Sequence, residues 1–335
     1  MSKKIELAIY FPDLHRLEMI DDFLKIIDAR EIPSYLATVM FSLNPNNYEF
    51  TNNLSSLSWL QLFQNNGMDF SRLYFGQEFC QNLIPPSDEV DHAYYFSRQM
   101  EWDFTYVTGG YLTDVGIAKV VENLTCLREL GADDCEVVVN DWGVLNVIHR
   151  DFPELKGRLV LGRLLNKQTR MNLFAQPGVN FPVHMNGIET VEQEIRDMQV
   201  QSYRDVSLSN PVYLKEVHEW GFTNVDFDMT PQGIYRPEGG WDMTMGLYYP
   251  WSFIATARNC PTAGLADPVR TFVMTDKPCG KMCKKYNCTP LLIQFETPAV
   301  QRGPTLFTYV GDFAEHYFLH SPYYERLIFE PCLPI

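Results

Sequence analysis

Four of the chain's eight cysteines crowd into RNCPTAGLADPVRTFVMTDKPCGKMCKKYNC, residues 258–288. Cys260 is followed by eighteen residues, then Cys279, three residues, Cys283, four residues and Cys288. Thiols this close could form disulfides, bind zinc, hold an iron–sulfur cluster or lie buried as small apolar groups. A reducing compartment disfavours disulfides and favours metal or catalysis. Zinc ribbons prefer paired Cys-x₂-Cys, and the spacings here are x₃ and x₄, yet spacing alone leaves zinc and iron–sulfur both open. Lys277, Lys281, Lys284 and Lys285 sit among these thiols. They form either a solvated face or a counterweight to thiolate charge that would also attract an anion. Peptidase chemistry has no visible motif, since neither G-x-S-x-G nor H-E-x-x-H occurs.

The elements that must position these residues follow a regular rhythm. Strands are predicted at KIELAIY (4–10), SRLYFG (71–76), WDFTYVTG (102–109), CEVVVN (135–140), RLVLGRLL (158–165), FPVHMN (181–186), RDVSLS (204–209) and TNVDFDM (223–229). Helical patterns fall between them, at LEMIDDFLKII, 88–100, 115–130, DWGVLNVIH, VEQEIRDMQ and NPVYLKEVHEWG. PWSFIATA, PLLIQF and TLFTYV close the series as apolar or strand-like runs. Such alternation implies βαβ units and a parallel sheet, and about eight units predict an α/β, TIM-type (β/α)₈ barrel. An asparagine- and serine-rich stretch near residues 31–67 interrupts the rhythm as an N-terminal insertion. Residues 1–335 read as one barrel domain carrying a cysteine-bearing loop at 258–288.

With 46% hydrophobic residues, the 335-residue chain can bury one large core. No run of about eighteen apolar residues occurs, and MSKKIELAIYFPDL lacks the long apolar region of a secretory signal, so a cytoplasmic protein without a membrane span is expected. The formal charge of −15, from 42 acidic and 27 basic residues, argues against nucleic acid as a partner.

In a barrel, chemistry gathers at the C-terminal ends of the strands. The candidates there are Glu78–Cys80, Asn140–Trp142, Arg163–Lys167, Asn186, Ser209–Asn210 and Asp228–Gln232. Arg163, with Asn166 and Lys167, is either surface loop or an anion clamp. Asn140 and Asp141 suit a helix cap as well as a site. His184 is a candidate proton donor or acceptor. Asp226 and Asp228 point the same way, toward a site or an internal polar layer. Trp241, Tyr248, Tyr249 and Trp251 read as packing or as a platform for an aromatic ligand. Cys126, Cys135 and Cys332 read as buried apolar residues.

Several strand ends, EVVVNDWGVL, LVLGRLLNKQ, SLSNPVYLKEVHEWGFTNVDFDM and the approach to ARNCP, resemble peptidase family U-32, the collagenase-like peptidases. YFGQEFC resembles that family's strand end of tyrosine, an aliphatic residue, Gly-Gly-Glu, with Gln77 at the second glycine. GQEFC, ARNC and CGKMCKKY together look closest to the UbiV-type iron–sulfur branch. That resemblance implies a 4Fe-4S cluster on Cys80, Cys260, Cys279 and Cys283, with zinc as the alternative and Cys288 competing with Cys80 for the fourth place. It also implies oxygen-independent hydroxylation, or a related redox modification, of a small aromatic, ubiquinone-precursor-like molecule, alongside a paralogous partner in a heterodimer. Asn140, Arg163 and His184 are then the candidate reactive residues at the barrel mouth. Four thiolates on one cubane leave no iron free, which favours electron transfer or structural support in this chain. RNA hydroxylation, a metal-stapled scaffold and true proteolysis are the alternatives, in that order.

Overall fold

Largely apolar runs build most of the barrel, because strands covered on both faces have no solvent side to mark. The computed structural model describes residues 5–18, 63, 65, 67–170, 195, 197–198, 201–230, 232–265, 272–277, 279–285, 299–310 and 324–335. Eight parallel strands close in the order β1 (Glu6–Phe11), β13 (Arg326–Phe329), β7 (Thr244–Tyr249), β6 (Phe222–Asp228), β5 (Leu159–Leu161), β4 (Glu136–Val139), β3 (Asp103–Val107) and β2 (Phe70–Gly76). This is the TIM-type α/β barrel that the sequence rhythm predicts.

Helices cover the outside where the sequence places them. Ser87–Gln99 buries Val90, Ala93, Tyr94 and Ser97, which share one helical face. Asp88 and Glu89 lie in its first turn and Arg98 in its last, each complementing the helix dipole. Asp114–Glu129 buries Val120, Leu124 and Leu127 in the same way. Trp142–Asp151 starts on Asp141, whose carboxylate accepts from the Gly143 amide at 2.7 Å. Pro211–Glu219 starts on Asn210.

Inside the barrel, alternate residues of each strand stack in three layers. β6 contributes one residue to each, Asn224, Asp226 and Asp228, all buried. The layer at the N-terminal ends is ionic: Glu6 joins Arg72 at 2.7 Å and Arg326 at 2.6 Å, and Arg326 reaches Glu136 at 2.6 Å. The middle layer packs Ala8, Tyr74, Val138, Val160 and Ile328. The layer at the C-terminal ends belongs to the site.

The last two barrel strands are not those the sequence pattern singles out. RDVSLS forms a short 3₁₀ turn, Ser207–Ser209, in place of a strand. PWSFIATA becomes β8 (Trp251–Thr256) and TLFTYV becomes β12 (Thr305–Tyr309). Both join β11 (Ala299–Arg302) in a separate antiparallel sheet, ordered β11-β12-β8. The closing positions go to β7 and β13. A hairpin of β9 (Asn259–Cys260) and β10 (Val273–Met274) completes the described strands. The proposed strand 181–186, the run PLLIQF, residues 18–27 of the first helical pattern apart from Glu18, and residues 31–62 of the insertion lie outside the described residues.

Candidate functional site

Three separate stretches of chain bring thiols to one place. Cys80 follows β2 and opens the turn Gln81–Leu83, where the Leu83 amide donates to its carbonyl at 3.0 Å. Cys260 ends β9 and caps the short helix Pro261–Gly264, its Sγ accepting from the Ala263 amide at 3.4 Å. Cys283 lies within the turn Met282–Lys284, which Lys281 enters with a left-handed φ of 50°, and Cys279 precedes it. Asn82 ties the first stretch to the third: its Nδ2 donates to the Lys277 carbonyl at 2.9 Å and lies 3.8 Å from the Cys279 sulfur. Arg302 Nε holds the Cys283 carbonyl at 2.9 Å.

Cys80, Cys260, Cys279 and Cys283 all line one small cavity, together with Val273 and Met282. Among the described residues, no histidine, aspartate or glutamate lines it. Burial pushes the Cys80 thiol up to about 12, and its neighbours Cys283, Cys260 and Cys279 push the same way. Burial likewise pushes Cys260 up to about 11 and raises Cys283. Thiols held protonated like this are poor nucleophiles, so the cavity does not resemble a cysteine-hydrolase site. It suits a group whose positive charge would displace the protons. Among the described residues, no three His, Cys, Asp or Glu side chains are arranged to hold a single metal ion. The thiols ring the cavity; they do not meet at one point. Cys288 and His184 lie outside the described residues.

Next to the cavity, the barrel mouth is filled by charge. Arg163 is fully buried, as are Glu78, Asp228 and Glu330. Its Nε reaches Glu78 at 2.9 Å, one terminal nitrogen reaches Asp228 at 2.9 Å, and the other reaches Glu330 at 2.6 Å. Tyr248 lies flat beneath, its ring centre 3.7 Å from the guanidinium carbon. Arg170 joins from the side, with Nε 2.5 Å from Asp228. Asn140 completes the frame: it donates to Glu78 at 3.2 Å and to the Thr108 carbonyl at 3.1 Å, and accepts from the Leu164 amide at 3.2 Å.

Three carboxylates face two guanidinium groups, so the cluster balances when one carboxyl holds a proton. Burial pushes Glu330 up to about 8 against the pull of Arg163, with Glu78 and Asp228 adding to the rise. Its Oε2 has no hydrogen-bond partner among the described residues. Burial alone would lower Arg163, but Glu330, Glu78 and Asp228 together hold it well above its ordinary value. Arg163 is therefore saturated by its own chain and is not a vacant anion clamp, while Lys167 is exposed. Asn140 and Arg163 do converge, on Glu78. Asp141, not Asn140, is the helix cap.

An aromatic layer next to the charge cluster packs in one apolar cluster with Cys80 and Cys283. Phe79 lies between Glu78 and Cys80 in the chain, and its ring stands 5.2 Å from Arg163 and 5.2 Å from the ring of Phe307. Phe253 of β8 packs on it at 5.4 Å. Thus the antiparallel sheet lies across the mouth and puts aromatic rings between the charges and the sulfurs. Trp241, Tyr248 and Tyr249 are buried packing residues, and Trp251 joins the aromatic layer. Cys135 is buried, while Cys126 and Cys332 are partly so.

Glu330 and Arg170 escaped the sequence reading. Glu330 follows RLIF, a strand too short to register, and Arg170 lies beyond the strand-end window after β5.

Comparison with models of known protein families, with curated proteins and with solved structures finds no match to this chain. The fold and the cavity therefore define only a class: a TIM-type barrel with a thiol-ringed cavity beside its mouth.

Two predictions test the buried charges. Replacing Arg163 by leucine strands the buried carboxyl groups of Glu78 and Glu330 and leaves Asp228 on Arg170 alone, and urea denaturation should report a loss of about 3–5 kcal/mol. An unchanged midpoint would mean the cluster contributes nothing to stability. Asp226, one layer below, has no hydrogen-bond partner for either oxygen among the described residues. Burial pushes its carboxyl from 3.8 to about 8, despite Arg326. Between those values the folded chain keeps a proton that the unfolded chain releases, so stability falls as pH rises through that window. Asp226→Asn should flatten this slope, gaining at least about 1 kcal/mol relative to wild type between about pH 5 and about pH 9. Parallel pH profiles for the two proteins would contradict it.

Proposed function

We propose that this chain is an iron–sulfur protein whose cluster is held by Cys80, Cys260, Cys279 and Cys283. One observation carries the reading: four thiols from three separate stretches line a single cavity in which, among the described residues, no carboxylate or imidazole takes part. Thiolates are the usual ligands of iron–sulfur clusters, and each binds a different corner of a cubane, so donors around a cavity fit it. A lone tetrahedral zinc at about 2.3 Å from each sulfur would draw the four sulfurs to within about 4 Å of one another. No compact group of that kind occurs among the described residues; zinc is the alternative centre for the same four thiols.

The cluster, when bound, supplies single-electron transfer. The chain's own residues fix the sulfurs: Phe79, Phe253 and Phe307 pack in one apolar cluster with Cys80 and Cys283, and Asn82 and Arg302 hold the loops. Cys80, Cys260, Cys279 and Cys283 would supply one thiolate to each iron of a cubane, which would leave no iron open to substrate. The reacting substrate, a small aromatic molecule on the resemblance to the UbiV-type branch, then meets a site shared with a paralogous partner. Arg163 and Asn140 act as positioning residues that hold Glu78, and through it the strand end that presents Cys80. No helix among the described residues is long and apolar enough to cross a membrane.

Anaerobic purification tests the reading. About four irons and four acid-labile sulfides per chain are expected, with a broad visible absorption. Cys80→Ala should lose the cluster, and Cys288→Ala should keep it. Stoichiometric zinc without sulfide, or iron retained in the Cys80 variant and lost in the Cys288 variant, would contradict it.

A further inference from the structure

The lip of the thiol cavity is unlike the rest of the molecule. Residues 272–285 carry four lysines, Lys277, Lys281, Lys284 and Lys285, and a single acid, Asp276, in a chain of net charge −15. All four lysines are exposed. Lys284 stands 3.5 Å from Asp13, and the other three have no ion pair among the described residues. Three large apolar side chains on the chain segments that carry the lip are exposed: Leu265 is 57% exposed, Phe272 49% and Met274 38%. The cavity itself joins them, since Met274, Cys279 and Met282 line it and the Lys277 carbonyl is bonded to Asn82 beside it. Apolar residues ringed by charge of one sign mark an interaction surface and not a random exposure.

From this we propose that the lip docks a small acidic electron-carrier protein. The proposal rests on reading the cavity as a cluster site. Complementary charge would steer the carrier onto a positive lip on an otherwise acidic chain. Three apolar side chains form too small a core for a permanent subunit interface, and they match the small area of transient redox contacts. Met274 and Met282 line the cavity that the four cysteines line, so a carrier seated on this segment sits beside the thiols. One electron passes, the carrier is oxidised by one and the metal centre reduced by one, and no bond forms or breaks.

The probe is a small ferredoxin with an acidic face, with binding followed by fluorescence anisotropy on the full chain. Binding on the order of micromolar is expected at low salt, weakening about tenfold or more as salt rises to about 0.5 M. The triple variant Lys277→Glu, Lys281→Glu, Lys285→Glu should weaken it about tenfold or more, and Phe272→Ser with Met274→Ser should weaken it separately. These side chains are exposed, and unchanged thermal unfolding would confirm that the variants fold. No binding, or binding indifferent to the lysine reversals, overturns the proposal. So does tighter binding of a single-stranded RNA oligonucleotide to the same lysines, or a dimer of this chain that the reversals dissolve. Iron and sulfide at full count without docking would sink only the docking. Docking to a chain that holds zinc would sink only the cluster.

Discussion

Everything at the mouth of this barrel depends on one buried guanidinium. Arg163 ties together the ends of four strands, through Glu78 after β2, its own position after β5, Asp228 at the end of β6 and Glu330 after β13. A buried cation without such partners would cost several kcal/mol, and so would each carboxylate alone. The group is therefore stable only as a whole, with one proton retained among the three acids. Tyr248 below and Phe79 above close it from water. Because Glu78 lies two residues before Cys80, fixing the carboxylate also fixes the backbone that carries the thiol.

That coupling explains why charges and sulfurs sit so close without mixing. The chain reverses character within three residues, from Glu78 in the ionic cluster, through Phe79 in the aromatic wall, to Cys80 in the cavity. The antiparallel sheet supplies the rest of the wall with Phe253 and Phe307. Low polarity around the sulfurs disfavours free thiolates and strengthens binding to any cationic centre that can replace the protons. Exposed lysines gather in residues 277–285, around Cys279 and Cys283.

The barrel was legible in the sequence because most of its strands are unbroken apolar runs separated by well-capped helices. The helices at Ser87, Asp114, Trp142 and Pro211 carry caps or first-turn acids that a local reading can find. The closing strands were not legible. TMGLYY runs into WSFIAT across Pro250, and hydropathy alone cannot tell that the first belongs to the barrel and the second to another sheet. RLIF is four residues long, and its role comes from pairing with β1 and β7, partners distant in sequence. RDVSLS has strand-like alternation, yet Asn210 begins a helix so soon afterwards that the segment folds as a turn. At the site, Glu78, Arg163 and Asp228 were all found as strand-end residues. Their saturation of one another was not legible, because ion pairing across 65 to 167 positions leaves no local trace. The convergence of Cys80 on the distant cysteines came from the resemblance and not from spacing.

X-ray absorption at the metal edges of the anaerobically purified protein tests the central claim most directly. The account predicts an iron edge, a first shell of sulfur only, and a second shell of iron scattering from iron. A zinc edge with four sulfurs and no metal–metal shell, or iron ringed by oxygen and nitrogen, would contradict it.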